Sequence, residues 1–419
     1  MKKQTILYIA YHYPPILGSS GVHRTLAFTR HLNEQAWDVR VLTTSVKAYS
    51  KWSEDQYSFI PKGIKVIRAF ARDVTRHFSW RKKYLFSMSL PDNWQSWIVG
   101  GVIAGLISIV KNKPAVIVST YPIASAHVIG YVLHRLTGIP WIVDLRDPMA
   151  QADYPSEPKK KRIFEWLERK IVKHCQYAII TAPGAKAFYQ QKFPETAESF
   201  WQIIPNGYDE AIFANIKPSS KADEGDKNQP LILLHSGIIY PYERDPNPFF
   251  QALSELKQEN ALSAADLTVR LRASGHDELF QSKLDSLDIT DLVKLEPTIP
   301  YQQALQEMLD VDALLLLQAA NCNYQIPAKA YEYIRAQKPV LALTPTKGDT
   351  GSLLAQAGIA NIAPLDDKAQ IKDALLAFIN KINNNGFHMP DIQQIQTYSR
   401  QYQAVKLEQL LLSTIDSRA

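Results

Sequence analysis

The sequence predicts an α/β protein made of two Rossmann-like, doubly wound domains facing a cleft. Three observations carry this prediction. The chain has 419 residues, more than one hydrophobic core usually supports. Short continuous apolar runs alternate with stretches of helical spacing, as in a parallel sheet covered on both faces. The alternation stops once, at a polar and turn-rich segment, and then restarts.

The first run is Ile6-Leu7-Tyr8-Ile9-Ala10, read as a buried parallel strand. A loop with Gly18 and Gly21 follows, then Val22, Leu26 and Leu32 at near-helical spacing, then the strand Val39-Arg40-Val41-Leu42. This is a βαβ unit whose glycine loop lies at the carboxyl end of a strand, where open α/β sheets bind ligands. Val116-Ile117-Val118-Ser119, a helix from about Ala124, Trp141-Ile142-Val143-Asp144, Tyr177 to Thr181 and Gln202-Ile203-Ile204 continue the pattern. The apolar run Trp97 to Val110, at fourteen residues, is too short for a bilayer span and reads as a buried helix under the sheet. Residues 216–228 lack periodicity and read as a linker or exposed loop. Alternation resumes with Leu231 to His235, Leu267 to Leu271, Ala313 to Leu317 and Val340 to Leu343. The expected division is therefore a first domain in 1–215, a second in 229–385, and a helical tail in 386–419 that packs back on the first domain.

Composition narrows the function. Two cysteines without a partner motif, Cys175 and Cys322, exclude a disulfide framework and suit a reducing compartment. No signal peptide is read at the start of the chain. Residues 1–200 hold 28 Lys and Arg against 14 Asp and Glu, whereas residues 201–419 hold 19 against 27. A basic half joined to an acidic half implies that the first domain meets something anionic. Its two clusters are Arg72 to Lys83, with Phe78 and Trp80 interleaved, and Lys159 to Arg162. Nucleic acid and an anionic membrane face are the two candidate partners, and a merely solvated face would account for either cluster as well. No nucleic-acid-binding motif accompanies them, so no nucleic-acid partner is expected.

The segment Gln325 to Val340 is the most informative. Pro327 suits a first helical turn, and Lys338-Pro339 ends the helix. A helix starting here at Pro327, just past the strand at Ala313 to Leu317, aims free N–H groups from Ala328 onward at a diphosphate. Lys329 adds a point charge, and Glu332 lies three residues on, where its carboxylate can accept both hydroxyls of a ribose. The same two residues would equally make an ordinary i,i+3 helix pair. Asp310-Val311-Asp312 leads directly into a strand, and no ligand cluster accompanies it, so no metal site is assigned.

Taken together, these residues resemble GT-B glycosyltransferases, in particular the retaining group called family 4. The run Pro327-Ala328-Lys329-Ala330-Tyr331-Glu332 to Pro339-Val340 is similar to the donor-site helix of that family. Tyr13-Pro14-Pro15 through Gly18, Gly21 and Arg24 is similar to its glycine loop. Trp141 to Pro148 resembles the "DFRDPW" segment of a bacterial subgroup, and Ile204-Pro205-Asn206-Gly207-Tyr208-Asp209 the "IPNGxD" turn. His235-Ser236-Gly237 to Arg244-Asp245-Pro246 resembles the phosphate-side loop. Tyr324 and Ile238 depart from the pattern, standing where the family often has Glu and Arg.

The resemblance implies transfer of a sugar from a nucleotide-sugar donor, with retention, without metal and without a further cofactor. It implies donor contacts at Gly18, Gly21, Gly237, Pro327, Ala328 and Glu332. Arg244 is the remaining cation for the diphosphate beside Lys329. His127 is a candidate sugar contact or a structural histidine; Arg146 and Asp147 either orient the acceptor or form a structural ion pair. The expected acceptor is a lipid-linked or cell-surface saccharide, and the expected location is the cytoplasmic face of the cell membrane, as a peripheral protein. The rival readings are a nucleotide-sugar epimerase of the same shape and a non-catalytic nucleotide-binding protein.

Overall fold

The computed structural model describes residues 3–18, 20–81, 83–216, 229–241, 243–384, 386–387 and 390–417. Most of the expected linker 216–228, and Lys82 of the first basic cluster, lie outside the described residues. The chain forms two compact units, one made of residues up to Pro205 together with those from Arg400, the other of Asn206–Ser399.

The first unit contains β1 (Thr5–Ile9), α1 (Ser20–Glu34), β2 (Asp38–Thr44), β3 (Lys65–Ala69), α2 (Val74–His77) and α3 (Ser96–Lys111). It continues with β4 (Val116–Thr120), α4 (Ala124–Thr137), β5 (Trp141–Arg146), α5 (Pro158–His174), β6 (Tyr177–Ile180), α6 (Pro183–Lys192) and β7 (Trp201–Ile203). Its seven strands run in the order β3-β2-β1-β4-β5-β6-β7, with every pairing parallel. Residues of β1, β4 and β5 are buried throughout, which is why they read as unbroken apolar runs. The strand order reverses between β1 and β4, so the loops after these strands open a crevice at their carboxyl ends.

The second unit contains α7 (Glu210–Phe213), β8 (Leu231–Ser236), α8 (Asn247–Gln258), β9 (Leu267–Arg272), α9 (Asp277–Ser286), β10 (Val293–Glu296) and α10 (Tyr301–Asp310). It goes on through β11 (Ala313–Leu317), α11 (Ala328–Ala336), β12 (Val340–Leu343), α12 (Asp349–Gln356), β13 (Ile362–Ala363), α13 (Lys368–Asn383) and α14 (Ile392–Gln396). Six parallel strands run β10-β9-β8-β11-β12-β13, with the reversal between β8 and β11. Both sheets are the doubly wound sheets that the alternation implied.

Two local findings refine the sequence reading. Residues 206–215 pack with the second unit. Arg335 holds Glu210 through two 2.7 Å bonds, Tyr208 donates to the Ile395 carbonyl, and Tyr208 bridges to Ser399. The helical tail breaks at residues 397–399, and α15 (Arg400–Asp416) returns to the first unit against α1, where Glu408 accepts from the Trp37 indole and pairs with His31 at 2.8 Å.

The helix expected to be buried under the sheet is buried on one face only. In α3, Gly101 and Gly105 sit so tightly on α4 that a Cβ would lie 2.5 Å from Ile129 and 2.6 Å from Leu133. On the outer side Val99, Ile103, Ile107 and Val110 are 66, 55, 52 and 85% exposed. Among the described residues, no helix is long and apolar enough to cross a membrane.

Candidate active site

In the second unit, the loop after β8 meets the start of α11. Gly237 has φ +112°, a conformation that side chains rarely adopt, and a Cβ there would lie 3.2 Å from Lys329 Nζ. Lys329 sits in the first turn of α11, where N–H groups lack intrahelical acceptors; the Ala330 N–H donates back to Pro327. Pro327 precedes the helix and Ala328 opens it.

Lys329 Nζ lies 2.9 Å from His235 Nε2, while His235 Nδ1 lies 3.0 Å from the Leu315 carbonyl. A carbonyl only accepts, so Nδ1 carries the proton and Nε2 accepts from Lys329. Burial, then Lys329 and Arg244, hold His235 well below its ordinary range, in keeping with a neutral ring. Burial and the nearby Arg244 also push the Lys329 ammonium well down, against Glu332, which pulls it up.

Arg244 reaches back to donate from Nη1 to the Ile238 carbonyl at 2.6 Å and lies over the Tyr240 ring at 5.4 Å. A guanidinium thus serves the loop even though Ile238 itself supplies none. Glu332 is buried, and the Tyr301 hydroxyl donates to its Oε1 at 2.6 Å. The Ser236 N–H donates to the Tyr333 hydroxyl, tying the loop to α11. The structure therefore brings Gly237, Arg244, Lys329 and Glu332 together. This arrangement gathers cations and helix N–H groups around one carboxylate, and an incoming anion would relieve the repulsion between Lys329 and Arg244.

The first unit has its own polar cluster at the ends of β4 and β5. Asp144 and Arg24, 1 and 3% exposed, form a bidentate pair at 3.0 and 3.1 Å. Arg24 also donates to the Ile204 and Pro205 carbonyls, and Thr120 donates to Asp144 at 2.8 Å. Arg146 has φ +62°, and the Asp147 N–H donates to the Leu145 carbonyl across it, closing a tight turn beside a register shift in the β5–β6 pairing. Such backbone strain concentrates at functional sites. The turn sends the Arg146 guanidinium to Thr120 and to the Gly21 carbonyl.

Gly21 is small by necessity, since a Cβ would meet Arg146 Nη1 at 2.9 Å and His12 Nδ1 at 3.1 Å. Gly18, in contrast, has φ +77° with open space around it. Asp147 is 3.2 Å from Thr181 Oγ1, and burial pushes its carboxyl up to about 6 against the pull of Arg146. His127 is fully buried on α4. Its Nδ1 lies 2.8 Å from Ser119 Oγ, which also accepts from the Trp141 indole, and its ring stacks on Tyr121. Its Nε2 has no hydrogen-bond partner among the described residues, and burial lowers its pKa to about 3.

Sequence reasoning missed His235, Tyr301 and the Arg24–Asp144 pair as working parts. The one local signal was the position of His235 at the end of an apolar run before Ser-Gly. Asp312 accepts from the Ile232 N–H, which gives the Asp310-Val311-Asp312 segment a structural use. Among the described residues, no group of three or more His, Cys, Asp or Glu side chains could hold a metal ion.

The family model described as "Glycosyl transferase 4-like domain" matches residues 20–207. These residues are similar to a glycosyltransferase 4-like domain, over somewhat less than half of the chain. No curated protein matches the chain. Among solved structures, sucrose-phosphate synthase from Thermosynechococcus elongatus is 13% identical with a TM-score of 0.66, over 99% of this chain and 100% of that one. Anabaena HepE, solved in complex with UDP, is 13% identical with a TM-score of 0.65, over 98 and 100%. WaaG, a glycosyltransferase involved in lipopolysaccharide biosynthesis, is 14% identical with a TM-score of 0.64, over 96 and 99%. The chain has the GT-B fold, two Rossmann-like domains with parallel sheets, that these structures share.

Proposed function

We propose that the chain transfers a sugar from a nucleotide-sugar donor to a lipid-linked or cell-surface saccharide, as a family 4-type glycosyltransferase, with retention and without metal. The observation that carries this reading is the cluster of Lys329, Arg244 and the α11 N-terminus around the Gly237 loop, with Glu332 held by Tyr301. As the glycosidic bond breaks, negative charge grows on the leaving diphosphate. Preorganised cations and N–H groups stabilise that charge. The departing phosphate oxygen takes the acceptor proton, so no side chain is needed as general base. In this reading Glu332 accepts from the ribose and Arg146 and Asp147 orient the acceptor, while His127, fully buried against Ser119 and Tyr121, takes the structural role. Gly18 and Gly21 leave room for the donor. UDP bound to HepE and the lipopolysaccharide role of WaaG support a nucleotide donor and an envelope acceptor. The basic first half suits the cytoplasmic face of an anionic membrane.

Calorimetric titration against a panel of nucleotide sugars tests the donor site. Glu332→Ala should weaken the preferred donor by about 1.5–3 kcal/mol, the range for a lost charged hydrogen bond. A folded variant with unchanged affinity would remove Glu332 from the site. Product analysis separates transfer from epimerisation. Activity should persist in excess EDTA; loss restored by Mg²⁺ or Mn²⁺ would refute the metal-free mechanism.

A further inference from the structure

Among the described residues of the first unit, the outer face of α3 has no partner, and its pattern is regular. Val99, Ile103, Ile107 and Val110 fall within an arc of about 80° at 100° per residue, and they extend about 17 Å along the axis. Phe70, 55% exposed, lies against the helix at Gly100, where a Cβ would meet its carbonyl at 2.3 Å. The result is a narrow apolar ridge with one aromatic side chain beside it.

The charge around the ridge says what covers it. From residue 56 to 143 the sequence holds eleven Lys and Arg and only two acids, Asp73 and Asp92. Both acids are buried and occupied. Asp73 caps α2 through the Thr75 N–H, and Asp92 accepts from the Ser125 N–H and hydroxyl. This stretch therefore presents cations and apolar groups to solvent and no carboxylate of its own; Asp38, which meets Asn112 at the end of α3, is already paired with Arg40 and Lys65. Arg72, bonded to Ser96, marks one end of α3, and exposed Lys111 and Lys113 mark the other. A second copy docking by the same face would bring these cations together with no acid from the stretch to pair them. An anionic lipid surface neutralises them and accepts the ridge among its acyl chains.

We propose that α3 lies in the plane of an anionic membrane, with Ile103 and Ile107 at the centre of the inserted ridge and Arg72, Lys111 and Lys113 on lipid headgroups. This rests on the reading that the enzyme works at a membrane, and it names the surface that makes the contact.

The test is co-sedimentation of the full chain with vesicles of phosphatidylcholine, with or without phosphatidylglycerol, at low and high salt. The wild type should bind the anionic vesicles and weaken as salt rises. Ile103→Glu/Ile107→Glu should bind at least about tenfold more weakly, with donor titration and thermal unfolding unchanged, whereas Ile103→Leu/Ile107→Leu should bind as wild type. Equal binding by the Glu variant would overturn the role of α3 and leave the membrane reading standing. No vesicle binding by wild type would overturn both. A wild-type dimer by sedimentation equilibrium, dissociated by the Glu pair, would assign the ridge to a second copy and overturn the proposal.

Discussion

Replacing Asp144 with Asn tests the polar centre of the first unit. The substitution keeps the shape of the side chain and removes its charge, leaving Arg24 and Arg146 buried with Asp147 as the nearby acid but without their directly paired carboxylate. Arg24 loses its charge-assisted bonds at 3.0 and 3.1 Å but keeps the Ile204 and Pro205 carbonyls at 2.9 and 2.7 Å. Breaking a buried pair costs about 3–5 kcal/mol, and the retained carbonyl bonds put the expected loss near the lower end. The loss should also depend on pH. Burial raises the Asp144 carboxyl, but Arg24 and Arg146 outweigh it and hold it below its usual range. A depressed carboxyl contributes stability above its unfolded pKa of about 4, and that stability disappears as pH falls through the lower folded value. The difference between wild type and variant should thus be full at neutral pH and shrink in acid.

Urea unfolding followed by tryptophan fluorescence reads this unit alone, because all eight tryptophans lie between Trp37 and Trp201. A loss under about 1 kcal/mol at neutral pH, or one that stays constant into acid, would refute the pairing argument.

Asp147→Asn should do the opposite. The folded carboxyl is raised to about 6, so ionisation increasingly opposes folding as pH rises from about 4 to 6; the variant should gain up to about 3 kcal/mol above that window and nothing below pH 4, read by the same fluorescence titration. Gly237→Ala forces a side chain into a glycine conformation beside Lys329 Nζ, and should cost about 1–3 kcal/mol in thermal unfolding and lower donor affinity by calorimetry; unchanged affinity would separate the loop from the site. Tyr301→Phe removes the donor to Glu332 and should weaken donor binding by about 0.5–1.5 kcal/mol, less than Glu332→Ala; a larger loss than that variant would contradict the order of roles.

The central strands were legible in the sequence because burial on both faces makes β1, β4, β5, β8, β11 and β12 read as apolar runs. The edge strand β3, Lys-Val-Ile-Arg-Ala, shows one end to solvent and carries charges, so no such run marks it. In the second sheet β10 mixes charged and apolar residues and β13 spans two residues, which leaves no pattern to find. Lys329 and Glu332 stood out because one helical turn holds them together. Their partners His235 and Tyr301 lie 94 and 31 residues away, and Arg24 meets Asp144 across 120, distances that no local pattern reports. For α3 the difficulty was different. An all-apolar helix reads alike whether both faces are covered or one is bare, and the glycines that seat it on α4 give no hint of what faces outward.

The route of the chain has a consequence for how the protein is made. The first unit is interrupted after Pro205 and completed only when α15 docks on α1. On a ribosome adding about 5–20 residues per second, the stretch Asn206–Ser399 takes about 10–40 s to emerge, long enough for the second unit to fold whole. Throughout that interval the α1 surface that receives α15, including His31, is uncovered, and the first unit depends on nascent-chain chaperones or its own solubility. A helix made after the second unit is therefore the piece that closes the first.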